Sequence, residues 1–240
     1  MNTIHQPAIK LDNGRNMTIT ASSLIRWAGL AAVVAGIIYA GIQPIHPPDV
    51  LASVNTTAWG IITPVKTVMA LLVLLGITGL YARQVKETAW LGLAGFLLFG
   101  LSWALNLAFI FAEAFIMPPL ASAAPKFVEG FFGIVNGHPT LMNLGILPAI
   151  YALVGVLYLL GGLLFGIATF RAGILPRWAG GLLAGTALLT PLAAMLPHAI
   201  QRFAAVPVGI ALAGLGYALW SERREKVSEV LTGMGSPKLS

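Results

Sequence analysis

Between Glu129 and Arg171 the chain runs through residues 130–170 without one Asp, Glu, Lys or Arg. Water-exposed surface needs charge and polar cover, which is scarce even at ordinary composition. A segment this long therefore has no means of lying on the outside of a water-soluble fold. Comparable charge-free gaps recur at 27–48, 50–65, 67–82, 88–112, 178–201 and 203–221. About 20 apolar residues, at 1.5 Å each in a helix, cross a hydrocarbon core about 30 Å thick. The runs are continuously apolar and lack the period of two that a strand barrel requires. The expected fold is thus all-α: a polytopic six-helix transmembrane bundle with spans near 24–45, 60–81, 90–115, 141–170, 178–196 and 203–220.

Composition agrees. Of the 240 residues 58% are apolar and 9% charged, against about 25% charged in soluble proteins. A soluble domain and a disordered chain are both excluded. The domain reading is a cytoplasmic N-terminal tail (1–22), a six-span membrane domain (23–221) and a cytoplasmic C-terminal tail (222–240). The first 20 residues are polar, and the apolar run after them is too long for a cleavable signal. It is expected to remain as a helix and serve as its own insertion signal. Cysteine is absent, which excludes disulfides and thiol chemistry.

The net charge of +6 reads as membrane orientation, with no nucleic-acid partner, because no basic stripe interleaved with aromatics occurs. Six spans put both termini on one side. Of the 14 Lys and Arg, the loops on that side hold eleven; the other side holds Lys126 and Arg202, and Lys66 lies within a span. The asymmetry predicts cytoplasmic termini. Trp27, Trp90, Trp178 and Trp220 fall at inner helix ends and Trp59 at an outer end, as in an aromatic belt; Trp103 is mid-span.

Two patterns concern packing. Arg26, Trp27, Ala28 and Gly29 recur as Arg177, Trp178, Ala179 and Gly180, and Pro64, Pro148 and Pro207 lie near the outer starts of the even-numbered spans. This reads either as a threefold hairpin repeat or as ordinary anchors and first-turn prolines. The spacings Gly162/Gly166 and Gly181/Gly185 allow close helix approach. Segment 125–135, with Phe127, Phe131, Phe132 and Val135, is expected as a short helix lying over the outer end. The loop 171–180, RAGILPRWAG, resembles a loop in uncharacterised bacterial multi-pass membrane proteins that share R-x-G-x-L-P-R-W. That resemblance implies a membrane fold and a bacterial cytoplasmic membrane, and carries no activity.

Chemistry is expected where charge enters lipid. Lys66 lies within the second span and Glu113 near the outer end of the third. Such groups face the protein interior and find partners. Side chains lean toward their helix's N-terminus, so these two, on antiparallel neighbours, lean toward each other. Ser102, Asn106 and Glu113 lie within about 40° on a helical wheel. Thr63 and Thr67 flank Lys66, and Asn143, Tyr151 and Tyr158 give the fourth span a polar face. These residues predict an outward-opening polar cleft with Lys66, Glu113, Asn106, Asn143, Ser102 and Tyr151 as its ligand-binding groups. The competing reading is a structural salt bridge with polar glue between helices.

His46, His138 and His198 fall at outer helix ends beside prolines. With Glu113 or Asp49 they are candidate metal ligands, although their spacing lacks a helical metal motif. Three functions follow, with a non-enzymatic one leading and the cofactor unknown. The first is a membrane protein that binds or passes a small ligand or ion through the cleft. The second is an accessory or assembly subunit docking by its Gly-rich faces on partner helices or a second copy. The third is a metal-dependent membrane hydrolase. Beyond the lipid bilayer, the partners these readings allow are a small ligand, a membrane protein or a homo-oligomer.

Overall fold

The computed structural model describes residues 20–138, 142–193 and 195–233; of residues 198, 199 and 222–233 it describes the backbone alone. The N-terminal tail expected at 1–22 lies almost wholly outside the described residues. Among the described residues every regular element is helical.

Helix α1 (Ala21–Gly41) opens on a capping box: the Thr20 hydroxyl accepts the Ser23 N–H, and the Ser23 hydroxyl accepts the Thr20 N–H. These bonds satisfy two donors that the first turn leaves open. Helix α1 ends ahead of Pro44, Pro47 and Pro48, earlier than the expected residue 45. Helix α2 (Thr57–Phe111) starts on Thr56, whose hydroxyl accepts the Trp59 N–H. It is broken at Gln84 (φ −120°) and Ala89 (φ 46°). There the chain reverses, because Tyr81 stacks on Phe96 with ring centroids 4.6 Å apart; in a straight helix fifteen residues span about 22 Å. Helix α2 is therefore a hairpin with arms 57–83 and 90–111.

A π-turn (Ala112–Ile116) follows, then α3 (Met117–Ala123), α4 (Pro125–Asn136), α5 (Leu147–Ala172), α6 (Arg177–Ala193), α7 (His198–Gln201) and α8 (Ala205–Gly233). Helix α5 begins at 147, not 141. The Asn143 side chain accepts the Gly145 N–H at 2.8 Å, Gly145 has φ +60°, and Pro148 stands in the first turn. These features hold a turn where the apolar run continues.

Among the described residues four helices are long and apolar enough to cross a membrane: Ala21–Gly41, Thr57–Ala123, Leu147–Ala172 and Arg202–Ser221. The expected count of six separate spans is not recovered by that measure. The second and third expected spans are the two arms of the α2 hairpin, both within Thr57–Ala123, and α6 has 17 residues, a rise of about 25 Å.

The packing order runs α1, first arm, second arm, α5, α6, α8 and back to α1, closing a ring. Phe99, Trp103, Phe165, Ile77, Leu183 and Leu215 fill its centre and are almost completely buried. Small residues set the crossings. A Cβ on Gly36 of α1 would collide with the Gly209 carbonyl of α8, and one on Gly209 would lie 2.5 Å from the Gly36 oxygen. Between α5 and α6 the touching pair is Gly166 and Gly180; Gly185 faces open space. The Gly-x-x-x-Gly spacings thus identify one partner of that crossing. The loop 171–180 is the α5–α6 corner, turned by Gly173 (φ +64°) and pinned by Leu175, which is 2% exposed in the core.

The outside of the ring is apolar and exposed, with Leu75, Leu97, Leu101, Leu153, Leu188 and Ile210 each at least 47% accessible. A face of this kind is stable against lipid and not against water. One end of the bundle carries exposed Trp27, Trp90 and Trp178. The other end is capped by segment 42–56 and by α4, whose Val128, Phe131 and Phe132 are buried against Trp59, Phe109 and Val154. Trp59 does not belong to an aromatic belt: it is fully buried beneath α4. The repeated Arg-Trp-Ala-Gly motif opens α6 at Arg177 but lies more than one turn into α1 at Arg26. The prolines differ likewise: Pro64 falls inside its helix, whereas Pro148 stands in a first turn.

Candidate functional site

The capped end holds most of the bundle's buried polar groups. Lys66 projects from the first arm of α2, with Thr63 and Thr67 donating to the carbonyls of Trp59 and Thr63 one turn earlier in the helix. Those two hydroxyls satisfy their own helix and do not join the cavity wall, as residues of this type often do inside helices. Glu113 sits in the π-turn that ends the second arm. Wide turns of this kind re-aim side chains and recur at functional sites. The Trp59 indole N–H donates to the Glu113 backbone oxygen at 3.0 Å and so pins the turn. The Lys66 ammonium donates to Glu113 Oε2 at 2.6 Å, with side chains 15% and 6% exposed.

This pair lines a cavity of about 170 Å³. Lys66, Glu113, Asn106 and Tyr151, four of the expected ligand-binding residues, share its wall. Two do not. The Ser102 hydroxyl donates to the Val154 carbonyl of α5 at 3.0 Å, fully buried between helices. Asn143 is exposed in the turn before α5 and spends its side chain on Gly145. The helical wheel placed Ser102 correctly on the face but one turn below the cavity floor, where α5 takes it. Tyr158 is deeper still, its ring tilted against Phe99 and Trp103.

Among the wall's polar residues, sequence reasoning did not assign Tyr39, Gln43, Trp103 or Arg202 to the site, and it named Asp49 only as a candidate metal ligand. Some signals were present. Trp103 was the one mid-span tryptophan, and Arg202 was a charge isolated between apolar runs. Segment 42–56, rich in proline, gave no periodicity from which to place Gln43, His46 or Asp49.

His46 lies in the same wall. Its Nδ1 is 2.6 Å from the Pro47 oxygen, an arrangement that suits the Nδ1–H tautomer. Burial first, and then the Lys66 charge, hold the imidazole down at a pKa of about 4 against the opposing pull of Asp49. His46 is therefore neutral near pH 7, with an acceptor at Nε2. Arg202 crosses from the far side and donates from Nη1 to the His46 carbonyl at 2.8 Å, which ties α8's entry to segment 42–56.

Three buried polar atoms of this wall have no hydrogen-bond partner among the described residues: Trp103 Nε1, His46 Nε2 and Arg202 Nε. Trp103 is 1% exposed and His46 9%. Buried polar groups are otherwise almost always satisfied, so three in one cavity call for something that fills it.

Below the cavity the bundle is shut. Trp103 packs edge-on to Tyr39 (5.3 Å) and Phe99 (6.3 Å), and Phe99 stacks on Phe165. A larger groove of about 740 Å³ lies outside, between segment 49–52 and α4, and shares Asp49 with the cavity. Its own charged groups, Lys126 and Glu129, are exposed. His138 lines this outer groove and not the cavity. The proposed gathering of His46, His138 and His198 is not formed between the first two, and the side chain of His198 lies outside the described residues. Among the described residues no three His, Asp or Glu side chains are placed to hold a metal ion.

Compared with known proteins, the chain matches no described family, no curated protein and no solved structure.

Proposed function

We propose that this chain crosses the lipid bilayer six times, with both termini on the basic, cytoplasmic side, and holds a small polar ligand in the cavity at its outer end. The six crossings count the two arms of α2 separately and include α6, which spans by local thinning or tilt of its neighbours. The charge asymmetry of the loops supports the orientation.

One observation carries the ligand reading: the buried Lys66–Glu113 pair opens onto a cavity whose wall also holds the unsatisfied Trp103 Nε1 and His46 Nε2. A purely structural ion pair would be enclosed by apolar side chains or by its own hydrogen bonds. The volume favours a small ligand, since drug-sized ligands occupy about 300–1,000 Å³. The aromatic floor of Trp103, Phe99 and Phe165 favours binding over open conduction. The docking-subunit reading loses support, because Gly162, Gly166 and Gly181 meet other helices of the same chain and only Gly185 of the two spacings faces open space.

The test is native mass spectrometry of gently extracted protein beside Asn106→Leu, which places an apolar group on the cavity wall. Wild type is expected to carry a low-mass adduct that the variant lacks. An identical adduct on both, or none on either, would overturn the site.

A further inference from the structure

The cavity wall carries formal charges of both signs. Lys66 and Arg202 are cationic, Asp49 and Glu113 anionic, and His46 neutral. A buried site of zero net charge disfavours a ligand of net charge, because the ion's lost hydration is not offset by a surplus of opposite charge. It rewards a ligand whose own charges are separated, since each end then meets a fixed group of opposite sign in a medium of low effective dielectric.

The unsatisfied atoms make a second, independent demand. Trp103 Nε1–H and Arg202 Nε–H need acceptors, and His46 Nε2 needs a donor. The occupant must therefore both accept and donate. Size is the third limit: at about 170 Å³ the cavity lies below the roughly 300–1,000 Å³ of drug-sized sites.

Resting on the binding role proposed above, we infer that the ligand is a small zwitterion, an α-amino acid with little or no side chain. Its carboxylate goes to the Trp103 and Arg202 N–H groups and its ammonium to the acidic side and His46 Nε2.

The experiment is thermal melting of full-length protein in nanodiscs with 10-fold steps of glycine, alanine, leucine, acetate, methylammonium and acetamide, for wild type and Trp103→Phe. Glycine and alanine are expected to raise Tm by about 5 °C or more at saturation. Leucine, acetate and methylammonium should leave it unmoved, and Trp103→Phe should weaken the glycine effect at least tenfold. A rise with acetamide but not glycine overturns the zwitterion and leaves the site standing; so does a rise with acetate or methylammonium alone. An equal response to leucine overturns the size argument and with it the inference. If no probe acts, the inference fails, and the native-mass adduct decides separately whether the cavity binds anything.

Discussion

Replacing Glu113 with Gln keeps shape and removes charge, which makes it the sharpest probe of the Lys66–Glu113 pair. Breaking a buried ion pair by removing one partner costs about 3–5 kcal/mol, chiefly through the charge left behind. Here Lys66 is 15% exposed and borders a polar cavity, so the lower end applies, about 3 kcal/mol. For a chain of this size each kcal/mol moves Tm by about 2–4 °C. Glu113→Gln should therefore lower Tm by roughly 6–12 °C in detergent or nanodiscs. Lys66→Met should cost less, because a carboxyl deprived of its cation can take up a proton. The double variant should recover much of the loss, with a coupling of about 2 kcal/mol in the mutant cycle. Additive single effects, or a Glu113→Gln melt within 1–2 °C of wild type, would refute the reasoning from burial.

Three further outcomes follow. Ala89, at φ 46° and ψ −141°, occupies backbone space that glycine enters freely, at a cost of about 1–3 kcal/mol; Ala89→Gly should raise Tm by several degrees, and a lower Tm would contradict the strain. Gly209→Val should disrupt the α1–α8 crossing and cost more than 3 kcal/mol, read as loss of monodisperse protein on size exclusion, while Gly185→Ala, facing open space, should be neutral. His46 binds its proton at about pH 4 folded against about 6.5 unfolded. The unfolded chain thus takes up the proton first, so stability is full above pH 6.5 and falls by up to about 3 kcal/mol as pH drops toward 4; His46→Phe should flatten that slope in melts from pH 7.5 to 4.5.

Much of the helical architecture could be read from charge-free gaps, because lipid leaves the backbone few alternatives to helix. What sequence reading blurred were the ends. Asn143, Gly145 and Pro148 delay α5 by six residues although hydropathy is unbroken there. The two arms of α2 meet at a turn that holds an alanine at positive φ, which no residue preference would indicate. At the site, the depth and lean of Lys66 and Glu113 were legible because a charge in hydrocarbon must find a partner. Asn106 and Tyr151 followed from helical periodicity. Ser102 followed the same periodicity and was taken by α5, a tertiary choice that a wheel does not contain. Trp59 looked like an interfacial anchor by position, yet α4 folds over it and its N–H is used inside. Arg202 and Asp49 come from segments without periodicity, so only the folded chain could bring them to the cavity.

The central claim is that a polar cavity opens at one end of a membrane-embedded ring that is sealed below. The natural absence of cysteine permits single-cysteine labelling without a background. In intact cells, a membrane-impermeant thiol reagent should modify Asn106→Cys on the cavity wall, should modify Ser221→Cys only after permeabilisation, and should leave lipid-facing Leu101→Cys unmodified in both conditions. If Asn106→Cys is inert from outside while Ser221→Cys reacts there, the cavity does not open where this account places it.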